Sequence, residues 1–265
     1  MKCRNRGAAA RGDDRFILSI QSVLVALAAL WLGASNVAHA LTADEIVAQH
    51  IAARGGMERL QALKTLKRTG RLVIPGFNGE VTATEYKARP NEYRIEYTLQ
   101  GLTAVQAWDG HEAWQIQPFQ GRKDPEKLSA DQAKPLANSA DIDFPFVDYQ
   151  AKGSKLTYLG TEDVDGTPAY KLRLQLASGD EILYFIDPDS WMLIRDIQKQ
   201  QIRGAEQITE NDYGEYEQVQ GVWVPMTEAS GPKGSDASQK QQTLFDKAEG
   251  NVEVDPSIFP FPSAK

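Results

Sequence analysis

The residues with the strongest claim to chemistry lie in the stretch AWDGHEAWQI, residues 107 to 116, where His111-Glu112 forms the first half of an H-E-x-x-H metalloprotease pattern. That pattern needs two histidines one helical turn apart, so that both imidazoles reach one metal. The second position is occupied by Gln115, and Asp109-Gly110 just ahead signals a turn between strands rather than a helix. The stretch therefore reads as a hairpin braced by Trp108 and Trp114. No other pattern gains strength. His50 falls within a helix, there is no G-x-S-x-G elbow, and no glycine-rich phosphate loop is present. Asp141/Asp143 and Asp187/Asp189 are pairs that turns and helix ends explain. Asp163-Val164-Asp165-Gly166 lacks the later ligands of a calcium loop. No catalytic residue, metal site or cofactor is expected. A hydrolase site assembled in space from distant residues is the alternative.

The elements that would position any site begin after a targeting segment. Lys2, Arg4, Arg6, Arg11 and Arg15 precede an apolar run from Phe16 to Gly33, and Ala38-His39-Ala40 supplies an A-x-A cleavage signal. A signal peptide over 1–40, cut after Ala40, predicts one periplasmic domain over 41–265; a retained membrane anchor is the alternative. The single cysteine, Cys3, lies ahead of the apolar run, so neither a thiolate metal site nor a cysteine nucleophile is expected in that domain. The 36 acidic against 29 basic residues give a net charge of −7, a poor match for nucleic acid or anionic membrane surfaces.

Within 41–265, Thr42 to Glu45 forms a capping box before an apolar stripe of Ile46, Val47, His50 and Ile51, and Gly55-Gly56 ends that helix. A second short helix covers Met57 to Leu63. The period then changes to two. Alternation predicts five strands between Leu66 and Gln117, and six or seven more between Lys155 and Glu249, separated by Gly-, Pro-, Asn- and Asp-rich turns. With no βαβ rhythm, the fold class is mainly β (α+β): one curled antiparallel sheet, an incomplete β-barrel of about eleven or twelve strands wrapped around N-terminal and central helices. The proline-rich middle, Pro118 to Gly153, carries a helix starting near Ser129, with Leu136 and Ala140 in its apolar stripe. Ile142, Phe144, Phe146 and Val147 follow it. It is read either as a lid (Leu136, Ala140, Ile142, Phe144, Phe146) over the trough or as a crossover packed on the sheet.

The strand faces taken as inward carry Tyr93, Ile95, Tyr97, Leu99, Trp108, Trp114, Ile116, Tyr170, Leu172, Leu174, Leu176, Leu183 and Phe185. They are ordinary core or the wall of an apolar cavity. An exported trough with a plug suits acyl chains, since each methylene taken from water is worth roughly 0.8 kcal/mol.

Several short patterns, in this order, carry a resemblance. They are Trp108-Asp109-Gly110 with Trp114; Ala140-Asp141-Ile142-Asp143-Phe144; Tyr184-Phe185-Ile186-Asp187-Pro188; Gly221-Val222-Trp223-Val224-Pro225; and Asp255-Pro256-Ser257-Ile258-Phe259. The chain resembles the outer-membrane lipoprotein-sorting (LolA-like) superfamily of periplasmic proteins. That resemblance implies an incomplete barrel around helices, a cavity for the acyl chains of a lipid or lipoprotein, and a monomer. It also implies an inner-membrane transporter as donor and an outer-membrane receptor as acceptor. It further implies an inward arginine that holds the closed state; Arg68, Arg71 and Arg94 all lie in early strands, and that role is assigned to none of them. An envelope-stress sensor or regulatory module that binds a membrane protein is the alternative function.

Overall fold

The computed structural model describes residues 41–262; the expected signal peptide lies outside the described residues. Helix α1 (Ala43–Ala53) opens on the capping box, with Thr42 Oγ1 accepting from Glu45 N. Its end is set by close packing. An added Cβ on Gly55 would stand 2.2 Å from the Gly221 carbonyl oxygen, and the φ of +122° there also disfavours any other residue. Helix α2 (Met57–Ala62) follows at once.

Strands β1 (Thr65–Val73), β2 (Val81–Ala88), β3 (Glu92–Leu99), β4 (Leu102–Trp108), β5 (Ala113–Gln117) and β6 (Arg122–Lys127) form one antiparallel meander. Helix α3 (Ala130–Ser139) and an irregular segment lead to a second run of strands. These are β7 (Lys155–Val164), β8 (Thr167–Gln175), β9 (Glu181–Ile186), β10 (Leu193–Ile202), β11 (Ala205–Gly214), β14 (Thr227–Pro232) and β15 (Gln241–Gly250). Between β11 and β14, β12 (Glu217–Val219) and β13 (Val222–Val224) form a separate small hairpin. The main sheet has thirteen strands in the order β6-β5-β4-β3-β2-β1-β15-β14-β11-β10-β9-β8-β7. Its edges, β6 and β7, are not paired with each other, so the sheet curls without closing.

Two departures from the sequence expectation have local causes. Strand β6 contains Pro125, which a ladder tolerates only at an edge, and an edge is where it lies. The long strands expected over 205–219 and 222–230 each break in two. Glu215 takes φ +50° between β11 and β12, and Pro225-Met226 interrupts β13 and β14. The freed β12–β13 hairpin packs its Val219, Val222 and Val224 on Leu60 and Leu63.

Register decides which residues face the trough. Leu172 pairs with Tyr184 and Leu174 with Ile182, so Tyr184 and Ile182 share the concave face with them. Leu183 and Phe185 lie on the convex face, clustered with Val164, Ala169 and Ile197. Strand β9 is apolar or aromatic at every position after Glu181, with all five of those residues buried, so alternation could not show its orientation. Trp108 pairs with Ala113, which turns Trp114 and Ile116 to the convex face too. There the C-terminal segment straps over them: Trp114 Nε1 donates to the Phe259 carbonyl at 2.7 Å, and Arg94 Nη1 to that of Ile258 at 2.8 Å. Trp114, Ile116, Leu183 and Phe185 therefore do not line the trough.

The strap supports the sheet from outside. Phe259 is buried, so Phe259→Ala should lower unfolding free energy by about 3–5 kcal/mol in urea titration. A loss under about 1 kcal/mol would show the strap to be dispensable.

Candidate functional site

The concave face divides into two compartments. At one end is an open apolar cavity of about 450 Å³, lined by Leu72, Ile74, Val81, Tyr97, Leu99 and Ala104. Phe77 and Phe119, both more than two-fifths exposed, stand at its rim. Of the sequence candidates, Tyr97 and Leu99 reach this cavity. Tyr93 and Ile95 lie further along the same wall, under α3, where Leu136 and Ala140 cover them with Trp108 alongside. Tyr170, Leu172 and Leu174 form the opposite wall and pack on α1 and Phe146; Leu176 borders the same cluster.

The middle of the trough is polar. Arg68 donates to Glu85 at 2.7 Å, to Glu228 at 2.6 Å and to the Pro225 carbonyl. Burial would raise the Glu228 carboxyl, but Arg68 and Lys87 together outweigh it and hold that carboxyl below its ordinary value. Beside this pair, Asp196 accepts from Tyr213 Oη at 2.6 Å and Asn211 Nδ2 at 2.9 Å. Burial pushes Asp196 up to about 6, against the pull of those hydrogen bonds.

The segment after α3 plugs the trough over this polar floor. Phe146 is fully buried, 4.6 Å from the Tyr184 ring and 4.9 Å from the His50 ring. Phe144 stacks on Phe146, meets Tyr213 edge-on at 5.7 Å, and adopts φ +70°, a region that costs a non-glycine residue energy. Arg89 grips the plug through Asp143 at 2.6 Å, and Lys152 Nζ donates to the Val147 carbonyl at 2.6 Å. Phe144 borders gaps of about 40 and 20 Å³.

Sequence reasoning did not select Arg54. It donates from Nη2 to the Ile142 carbonyl at 3.2 Å and from Nε to that of Trp223 at 3.1 Å, with its guanidinium 4.9 Å from the Phe144 ring centre. Of the three arginines considered, Arg68 faces inward but is held by Glu85 and Glu228. Arg71 pairs with Asp246 at the surface, and Arg94 supports the strap. The signal for Arg54 was available: position 54 continues the buried stripe of 46, 47 and 50.

The AWDGHEAWQI stretch is a tight hairpin turn. Asp109 N donates to the Glu112 carbonyl, and Asp109 Oδ1 accepts from His111 N and Glu112 N at 2.8 and 2.7 Å. Among the described residues, no group of three or more His, Cys, Asp or Glu could hold a metal ion, and no helix is long and apolar enough to cross a membrane.

No protein-family profile and no curated protein matches the sequence. Solved structures do match in fold. A domain assigned to the outer membrane lipoprotein-sorting proteins, from Vibrio parahaemolyticus, superposes with a TM-score of 0.52 at 11% identity, covering 81% of this chain and 94% of that one. A LolA superfamily protein from Nitrosomonas europaea gives 0.53 at 12% identity, covering 83% and 98%. The chain has the LolA-like fold. A DUF1329 family protein from Desulfovibrio piger shares it, with a TM-score of 0.52 at 10% identity over 81% of this chain and 97% of that one.

Two buried groups set opposite pH dependences. His50 Nδ1 donates to the Trp191 carbonyl at 2.8 Å, while burial and Arg54 lower its pKa from 6.5 to about 3. Stability from neutral His50 is complete above pH 6.5 and is lost as pH falls toward 3. Asp196, raised from 3.8 to about 6, works the other way. Its neutral form favours the fold below pH 3.8, and that advantage is lost as pH rises through 6. Asp196→Asn should therefore stabilise at pH 8, by on the order of 3 kcal/mol at most, and give no gain at pH 3.5. Equal effects at both pH values in thermal unfolding would exclude this account.

Proposed function

We propose that the protein is a periplasmic carrier that shields the acyl chain of a lipid or lipoprotein in its trough and hands it on across the envelope. The observation that carries this reading is the apolar cavity at the mouth, continuous in surface with two exposed phenylalanines and large enough for a small-molecule chain. A soluble protein leaves such a surface open at a cost, which a ligand removes.

The chain enters along Tyr97 and Leu99 and displaces the plug as it advances. Tyr93, Ile95 and Trp108 then become one wall, and Tyr170, Leu172 and Leu174 the other. Leu136, Ala140, Ile142, Phe144 and Phe146 act as the lid, competing with cargo for the same apolar surface. Arg54 is the latch, because it bonds the lid's backbone at Ile142. The fold shared with lipoprotein-sorting domains supports this role and the exported location. No catalytic step is assigned to any residue.

The test is native mass spectrometry with lipid extraction on full-length protein expressed in a bacterial periplasm and purified without detergent. Wild type should carry acyl-chain species at defined stoichiometry. Leu99→Asp puts a charge in the mouth at a half-buried position, so it should fold normally and retain at least about tenfold less lipid. Wild type that stays free of lipid when lipid is offered, or a folded Leu99→Asp that keeps it, would overturn the proposal.

A further inference from the structure

Arg54 is 1% exposed, yet its charge is incompletely matched. Nε and Nη2 reach two carbonyls, while Nη1 is buried without a hydrogen-bond partner. Buried guanidinium groups are ordinarily paired with carboxylates, as Arg68 is here. The end of α1 and the two carbonyls supply only partial negative charge. The gap of about 20 Å³ beside Arg54 is bordered by two further cations, Arg68 and Lys87, and by a single carboxylate, Glu228, already committed to Arg68. Asp141 and Asp143 are likewise taken, by Lys152 and Arg89. In the closed state the plug offers Arg54 an oxygen from Ile142 and an apolar ring from Phe144.

An oxygen head joined to an apolar body is also what an amphiphile presents. We propose that Arg54 is an anion-recognition residue, and that the cargo is a single-chain amphiphile ending in a carboxylate. Its head group takes the place of the Ile142 oxygen and engages Nη1 and Nη2. Its first methylenes take the place of the Phe144 ring. This rests on the carrier reading and narrows it. A monoanion suits the site better than a phosphate dianion, whose second charge would face Glu228.

The test compares the full-length protein's affinity for a fluorescent polyene fatty acid and for its methyl ester at pH 8. Wild type should bind the acid roughly tenfold tighter or more, the scale of a charge-assisted hydrogen bond. Arg54→Gln should erase that preference, so that the acid-to-ester affinity ratio falls to about one, while release of the latch raises or leaves unchanged the affinity for the ester. Phe144→Ala, which keeps every hydrogen bond of Arg54, should tighten acid binding more than ester binding. If Arg54→Gln fails to fold, the Phe144→Ala comparison decides: equal gains for both probes would overturn the assignment. So would equal wild-type affinities, a preference that survives Arg54→Gln, or a long-chain alkyl phosphate that binds as tightly as the acid. Ester and acid bound equally well would leave the carrier reading standing, whereas binding of neither would remove it along with this assignment.

Discussion

An antiparallel sheet of thirteen strands that curls without closing has a concave face that water would otherwise enter. The chain must fill that face itself, and only one stretch of it spans the opening. The connection from β6 to β7 joins the two free edges, so it crosses the gap between them. Helix α3 lies on β3, β4 and β5 at one side and reaches β10 at the other, where Lys134 donates to the Gln201 carbonyl and Asn138 to Gln198. The plug that follows is thus a consequence of topology. Its aromatic residues complete a core that the sheet alone leaves open.

The filling is not uniform in chemistry. Where α1 and Phe146 meet the strands, the contacts are apolar and tight. Under Phe144 the floor carries Arg68, Glu85, Glu228, Asp196 and Tyr213. Each buried polar group there must be satisfied, and most are, at the cost of fixing several strands to one register. The mouth has no such network. A ligand that slides inward therefore passes from a surface that rewards hydrocarbon to one that rewards charge, with Phe144 at the boundary. Phe144 pays for its place there with an unfavourable backbone angle, which weakens the closed arrangement relative to an open one.

Much of this architecture was legible in the sequence. The capping box at Thr42 and the turn at Asp109 rest on local chemistry, and both stand where their residues place them. Period-two alternation exposed the strands on which one face is polar, such as Tyr93 to Leu99. It failed for β9, whose five residues after Glu181 are all buried and apolar or aromatic, and for Trp114, whose face depends on how many residues the preceding loop consumes. Pro125 argued against a strand that exists because it lies at an edge. The candidate site was less legible. Arg54, Ile142 and Phe144 come together across almost ninety positions, and the polar floor draws single residues from many strands. No spacing rule links such residues before the fold is known, and only the burial stripe of α1 pointed toward Arg54.

The central seam of the sheet joins β1 to β15, its first strand to its last. Each half, β1 to β6 and β7 to β14, grows by short hairpins, but the two halves become one sheet only when the final strand arrives. A chain emerging from its N-terminus thus holds no complete trough until nearly all of it is present. Such long-separation pairing slows folding. For this molecule the insertion of β15 between β1 and β14 is the step that turns two half-sheets into one container.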